Sequence, residues 1–183
     1  QYIIQQNRRE IPTPVSINNQ NIYPKAFLNC INLNSVILPS GIKNIGLCAF
    51  EGCSSLKKIE ISDGKNYTVI DGVLIDKVNK KAVRAENDES KECIKIVNGV
   101  STICKKTFER SPVKCIEIPK SVECIEENAF FLTQNLERFE VDSKNTNFRV
   151  YDGVLHNKEA TILIKYPQGK KDIGYYLEDT VEE

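Results

Sequence analysis

Alternating apolar and polar residues recur in four short stretches of the chain. Each begins with leucine or valine and ends with apolar residues at alternate positions: LNSVILP (33–39), LKKIEI (56–61), VKCIEIP (113–119) and LERFEV (136–141). An apolar residue at every second position is typical of a strand with one buried face. The pattern predicts four strands, and in the second it places Ile59 and Ile61 inward and Lys58 and Glu60 outward.

A phenylalanine precedes each predicted strand at a regular distance. Phe27 and Phe50 are 23 residues apart, and Phe108 and Phe130 are 22 residues apart. Repeats of about 20–29 residues are typical of leucine-rich solenoids, in which each repeat forms one coil and stacks on its neighbours. We therefore predict coils that each contain one strand, one reverse segment and one short helical turn.

A longer period of 81 residues is superimposed on the short one. It separates Phe27 from Phe108, and it divides the chain into two copies of a compound unit. Each copy carries an extra segment, residues 66–85 in the first and 147–167 in the second. Each segment has two strand-like runs around a polar turn and is predicted to be an inserted β-hairpin. The Asp-Gly pair inside the first run fits either a tight turn or a β-bulge.

The repeats predict one domain. We expect a single solenoid across residues 1–183, with about four complete short coils in 22–65 and 94–146. The chain contains no methionine, even at position 1, and its last residues stop partway into a third compound unit. Since a solenoid normally ends in a capping repeat, we expect this one to be truncated at both ends.

Three longer motifs carry a family resemblance. They are AFEGCSSLKKIEI (49–61), IPKSVECIEENAF (118–130) and YDGVLHNKEATILIKYPQGKK (151–171). From about Ile22 to Tyr176 the chain resembles the BspA-like, or Treponema-type, leucine-rich repeat family. The resemblance implies an α/β repeat fold: a right-handed leucine-rich-repeat solenoid, strand-rich, with short helical turns and two inserted β-hairpins. It also implies a non-enzymatic protein, often surface-exposed or secreted, that adheres to host matrix proteins or cells. The chain departs from the motif at Thr107, Ser111 and Thr133, which replace its alanine and its cysteine.

The overall charge is balanced, with 25 basic and 25 acidic residues. Such a chain lacks the positive field that attracts nucleic acid or an anionic membrane, so we expect neither partner. No apolar run approaches the roughly 20 residues that cross a bilayer, and we expect no membrane span in this fragment. The glycines form no phosphate-binding motif, and no cofactor is expected. We expect the solenoid to be a monomer.

The seven cysteines include no C-x-x-C pair, which disfavours a zinc site. Cys30 and Cys53 occupy the same repeat position, so stacked coils would bring them together as a disulfide or as small buried side chains. The second interpretation is favoured, because Ser111 and Thr133 fill that position in the second copy. Cys115 lies at an outward strand position, and we expect it to be the most reactive thiol.

The single histidine, His156, is predicted to be a surface residue of the second hairpin. A catalytic cysteine or serine paired with histidine needs an orienting group and an oxyanion site, and no motif supplies them. We therefore expect no catalytic residue, and a cysteine-dependent hydrolase is the least favoured class.

The outward strand residues are the candidate binding site, because solenoids bind through such continuous faces. One row contains Ser35, Lys58, Cys115 and Arg138, and the adjacent row contains Ile37, Glu60, Glu117 and Glu140. The charges either neutralise one another in solvent or form a strip that docks a protein. The candidate residues for docking are Lys58, Glu60, Glu117, Arg138 and Glu140.

These observations predict a non-enzymatic protein-binding repeat module. We expect it to be part of a surface or secreted adhesin that contacts extracellular-matrix or host-cell proteins. The alternative is an intracellular, cytoplasmic leucine-rich-repeat scaffold for protein–protein interaction, which the unpaired cysteines and the absence of an export signal favour.

Overall fold

A computed structural model describes residues 20–62, 64–172 and 174–176, and the regular elements in this part of the chain are all β-strands. In chain order they are β1 (Asn21–Ile22), β2 (Ser35–Leu38), β3 (Asn44–Ile45), β4 (Lys58–Ile61), β5 (Tyr67–Ile70), β6 (Val73–Asp76), β7 (Lys81–Ala85), β8 (Cys93–Lys95), β9 (Thr102–Ile103), β10 (Cys115–Ile118), β11 (Cys124–Ile125), β12 (Arg138–Val141), β13 (Phe148–Tyr151), β14 (Val154–Asn157) and β15 (Leu163–Lys165).

The strands form a strand-rich solenoid of about five coils. Each coil has a back strand (β1, β3, β7, β9 or β11), a corner or connecting segment, and a front strand (β2, β4, β8, β10 or β12). Back strands pair in parallel with back strands, and front strands with front strands. The four predicted strands become β2, β4, β10 and β12. In β4 the predicted orientation is confirmed, since Ile59 is buried and Lys58 and Glu60 are exposed.

The corners are successions of turns, so the predicted short helical turns are wrong. Each of the four corners that carry a phenylalanine has two residues with positive φ four positions apart, as at Lys25 (58°) and Asn29 (57°). A left-handed residue interrupts a right-handed helix. The N–H of Phe27 donates to the carbonyl of Ala49 in the next coil (2.8 Å), so stacking takes a donor that a helix would use internally. The described part of the chain accordingly holds no helix that could cross a membrane.

Each inserted segment is a three-stranded antiparallel meander and not the predicted hairpin. The Asp-Gly pair divides the first run into two strands, because Asp71 (φ 51°) and Gly72 (φ 77°) form the two-residue turn that twisted hairpins favour. A register shift does occur nearby, but between Leu74 and Ile75. The last strand of the first meander, β7, also pairs with β9 and serves as the back strand of the third coil.

Stacked phenylalanines occupy the corners on both sides of the third coil. Phe27 and Phe50 lie with ring centroids 5.1 Å apart, and Phe108 and Phe130 lie 5.6 Å apart. Such aromatic pairs contribute about 0.5–1.5 kcal/mol beyond their burial. The third coil lacks this phenylalanine and has Ala85 where the backbone of its corner bonds to the next coil. The apolar core consists of two clusters, one in the first two coils and one that begins in the third coil with Ala82, Ala85 and Ile94.

Candidate protein-binding strip on the front strands

The outward side chains of the front strands lie in the predicted rows. We call Lys58, Glu60, Glu117, Arg138 and Glu140 the front strip. Its members in β10 and β12 are direct neighbours, with Glu117 opposite Glu140. Within β4, Lys58 and Glu60 stand opposite residues of β2. The structure therefore brings the candidates together in two groups, and their role in binding remains a prediction.

The front strip is interrupted between β4 and β8, which do not pair with each other. The Asp-Gly turn of the first meander and the side chain of Glu86 occupy this place. The N–H of Ile59 donates to Glu86 Oε1 (2.7 Å), and the N–H of Lys95 donates to Asp71 Oδ2 (2.8 Å). Carboxylates thus accept hydrogen bonds from N–H groups at the strand edges, where a neighbouring strand would otherwise supply the acceptors. The strip consists of a first part, Lys58 and Glu60, and a second part, the remaining three residues.

Charges in the second part of the strip are paired within the molecule. Glu140 Oε1 accepts from Arg138 Nε at 2.9 Å, and Glu117 Oε2 lies 3.3 Å from Lys95 Nζ. Lys95 was missed as a strip residue, although it stands 22 positions before Glu117 in the same alternating pattern. In this part the geometry is that of charges that neutralise one another.

The first part of the strip is different. Lys58 and Glu60 are both exposed, and neither side chain makes a hydrogen bond or ion pair with another described residue. The outward neighbour of Glu60 on β2 is Ile37, which is 42% exposed. Two opposite, unpaired charges therefore lie beside an accessible apolar side chain.

Cys115 faces outward but is buried beneath Arg138. The guanidinium starts on β12 and reaches across β10, so that its Nη2 lies 3.7 Å from Cys93 Sγ on β8. Cys115 stands between them on β10 and is 0% exposed. Burial, with a hydrogen bond to Cys93, raises the pKa of the Cys115 thiol. The prediction that Cys115 is the most reactive thiol is wrong, because a thiol reacts through its thiolate and needs access.

The predicted pair Cys30 and Cys53 has no disulfide, and Cys30 is partly buried whereas Cys53 is buried. All seven cysteines lie in the described part of the chain and are free thiols. Cys53 is fully buried, and its Sγ donates to the carbonyl of Phe27 (3.1 Å). Burial raises its pKa to about 11. Cys53 therefore acts as a small core side chain, as the repeat position predicted.

His156 is buried, contrary to its prediction as a surface residue. It is 6% exposed because β14 is the central strand of its meander. Its Nδ1 lies 3.1 Å from the carbonyl of Val154, and its Nε2 lies 3.1 Å from the hydroxyl of Tyr175. Both ring nitrogens are occupied by groups that are not catalytic partners. Among the described residues no group of three or more acidic, histidine or cysteine side chains could hold a metal ion.

A shallow cleft of about 350 Å³ adjoins the second part of the strip. Its walls include Arg138, Asp152 and Lys170. Lys170 Nζ lies 3.0 Å from Asp152 Oδ2 and 2.7 Å from Asp172 Oδ2, and these carboxylates raise its pKa. The cleft is lined by charges of both signs that already neutralise one another.

A buried polar joint links the corners before and after the third coil. The Arg84 guanidinium donates to the carbonyls of Cys53 (3.1 Å) and Glu109 (3.1 Å), which belong to the corners before and after the third coil. Burial lowers the pKa of Arg84, and the nearby Glu109 carboxylate opposes that shift. Glu109 Oε2 in turn accepts from the N–H of Gly52 (2.7 Å). The joint was missed because a lone arginine in a strand-like run gives no sign of burial.

The repeats match a known family profile. The profile is described as a BspA type leucine rich repeat region, and six copies cover residues 9–79 and 86–177. The chain belongs to this family. Membership accounts for the short repeat and for the stacked coils that the structure shows.

Solved structures of bacterial leucine-rich repeat proteins have the same fold. A leucine rich cell surface protein from Faecalibacterium prausnitzii is 28% identical with a TM-score of 0.63, over 69% of this chain and 34% of that chain. A leucine-rich repeat protein from Eubacterium ventriosum is 27% identical with a TM-score of 0.54, over 84% of this chain and 37% of that one. The pneumococcal vaccine antigen PcpA, 23% identical with a TM-score of 0.57, shares the fold over 62% of this chain and 28% of its own.

The chain spans about a third of the length of these solved proteins. A comparison with curated proteins found no match.

Proposed function

We propose that this leucine-rich repeat chain is a non-enzymatic protein-binding module that docks its partner through the first part of the front strip. The observation that carries the proposal is the unpaired state of Lys58 and Glu60. Both charges are exposed and close together on one strand, and neither is neutralised from within the described part of the molecule.

Unpaired charges favour binding for an energetic reason. A partner that approaches Lys58 and Glu60 gains new ion pairs without breaking existing ones, whereas at Glu117 and Glu140 it must compete with Lys95 and Arg138. Complementary charges give orientation and a faster encounter, and an adjacent apolar side chain such as that of Ile37 gives buried area. The expected partner is a protein whose surface carries both signs of charge around an apolar centre.

The proposed setting is a surface or secreted protein that contacts extracellular-matrix or host-cell proteins. The support is the cell-surface description of the F. prausnitzii protein and the antigen description of PcpA. An intracellular scaffold would use the same strip on a cytoplasmic partner. Labelling of intact source cells with a membrane-impermeant amine reagent separates the two settings, since only a surface protein is labelled.

The binding test is a screen of immobilised matrix and host-cell surface proteins with the full chain, followed by a charge exchange on the strip. The variant K58E/E60K keeps the net charge and should weaken any specific interaction about tenfold or more. Biolayer interferometry at two salt concentrations measures this effect.

A matched control exchanges charges on the other side of the solenoid. Lys43 and Glu123 are exposed and each directly precedes a back strand, so K43E/E123K should leave binding unchanged. Equal binding by K58E/E60K and the native chain would remove the first part of the strip from the interface. Equal weakening by both variants would show nonspecific charge attraction.

A further inference from the structure

Two cysteines face each other across neighbouring front strands. Cys93 on β8 and Cys115 on β10 are direct partners in the parallel register. Adjacent strands lie about 4.8 Å apart, and a disulfide requires Cα atoms about 4.4–6.8 Å apart. Side chains of direct register partners point to the same face of a sheet, so both sulfur atoms lie on the same side.

The surroundings give the two thiols different roles. Cys93 is partly exposed, so a reagent from solvent can reach its sulfur, and Arg138 Nη2 lies 3.7 Å from it. Cys115 is inaccessible to a reagent from solvent, but its Sγ lies 3.5 Å from Glu140 Oε1. A carboxylate at that position can accept the proton of the thiol when the sulfur reacts.

We propose that Cys93 and Cys115 form a redox-active dithiol that is oxidised to a cross-strand disulfide by exchange with a small-molecule disulfide such as oxidised glutathione. This site lies beside the second part of the front strip and does not depend on the proposed binding function.

The exchange proceeds in two steps that balance. The Cys93 thiolate attacks one sulfur of the small disulfide, whose S–S bond breaks, and the released thiolate takes a proton from solvent. Cys115 then passes its proton to Glu140 and attacks the Cys93 sulfur of the mixed disulfide, and the second small thiol leaves with a proton. Two protein thiols are oxidised, and one small disulfide is reduced to two thiols.

The test uses the full chain carrying C124S, which removes the most exposed thiol. After incubation with oxidised glutathione and capping of free thiols, peptide mass spectrometry should find Cys93 linked to Cys115. The disulfide closes the loop from residue 93 to residue 115 and should raise the melting temperature by about 5 °C.

Single variants distinguish the two thiols. With C115S added, Cys93 should keep one attached glutathione, because nothing displaces it. With C93S added, Cys115 should stay unmodified, and E140Q should lengthen the lifetime of the mixed disulfide in the native pair. The proposal is overturned if Cys93 and Cys115 remain free thiols, if Cys93 links to another cysteine, or if the mixed disulfide persists at Cys93 although Cys115 is present.

Discussion

The two copies of the compound unit fold into the same meander but continue from it differently. In the first copy, β7 pairs with β9 of the next coil, and its Arg84 enters the buried joint. In the second, β15 has only β14 as a neighbour in the described part of the chain, and Lys165 stands at the position of Arg84. The shared pattern therefore specifies the meander, and single polar residues specify what the meander joins.

The edge of the preceding front strand shows the same contrast. In the first copy, the N–H of Glu86 donates to the carbonyl of Gly72. The N–H of Ile59 donates instead to the Glu86 carboxylate. In the second, Pro167 stands at the position of Glu86 and has no N–H, so the carbonyl of Gly153 is free to accept from Phe139 (2.9 Å). The equivalent N–H groups of Ile59 and Phe139 thus have different acceptors, the Glu86 carboxylate and the Gly153 carbonyl.

The largest effect should come from Arg84. The variant R84M removes the guanidinium that donates to three corner carbonyls, and it leaves the carbonyl of Glu109 without a donor among the described residues. It also removes the positive charge that faces the Glu109 carboxylate, and together these losses should cost about 3–5 kcal/mol of unfolding free energy. At the same position in the second copy, K165M removes no hydrogen bond or ion pair seen in the described residues and should cost less than about 0.5 kcal/mol. Urea unfolding followed by circular dichroism measures both. Equal losses would contradict the assigned joint.

Glu86 should have an intermediate effect. E86A leaves the N–H of Ile59 without an acceptor, which should cost about 1–3 kcal/mol, whereas E86Q keeps an acceptor and should cost less. P167A is the matched change in the second copy and should cost less than about 1 kcal/mol. Amide hydrogen exchange gives the sharper measurement: E86A should accelerate exchange at Ile59 and not at Phe139. Unchanged exchange at Ile59 would refute the carboxylate's role.

The smallest effect should come from Asp71, which is partly exposed. Partial burial would raise its pKa, but hydrogen bonds from Lys91 and from the N–H of Lys95, with the Lys91 charge, hold it below its ordinary 3.8. The unfolded chain therefore binds the proton more readily, and the stabilisation is present above about pH 4 and is lost as the pH falls through the folded pKa. The melting temperature of D71N should lie below that of the native chain at pH 7 and converge with it in acid.

Variant K91M supplies the control for this pH dependence. K91M removes one partner of Asp71. Adding D71N to K91M should therefore lower the melting temperature at neutral pH less than adding D71N to the native chain. A difference that grows on acidification would contradict the sign of the effect.

The fold was more predictable than the candidate site. Period-2 alternation located β4 and the orientation of Ile59, and the phenylalanine spacing predicted coil stacking. The corners were mispredicted as helical, since positive φ at non-glycine residues such as Lys25 leaves no clear signal in the sequence. For the site, alternation gave the outward positions but not which charges are paired, because the pairing of Glu117 with Lys95 depends on strand register.

The sequence by itself determined the repeat, the family and the inward or outward direction of the residues in β2, β4, β10 and β12, because these follow from recurring local patterns. Only the tertiary structure decided that Cys115 is covered, that Arg84 is buried and that the front strip is divided. Each of these depends on a side chain or turn from a distant position: Arg138 reaches over β10, and the Asp-Gly turn lies between β4 and β8. Periodicity indicates whether a side chain points into the core or outward, but it does not indicate which distant group covers or contacts that side chain.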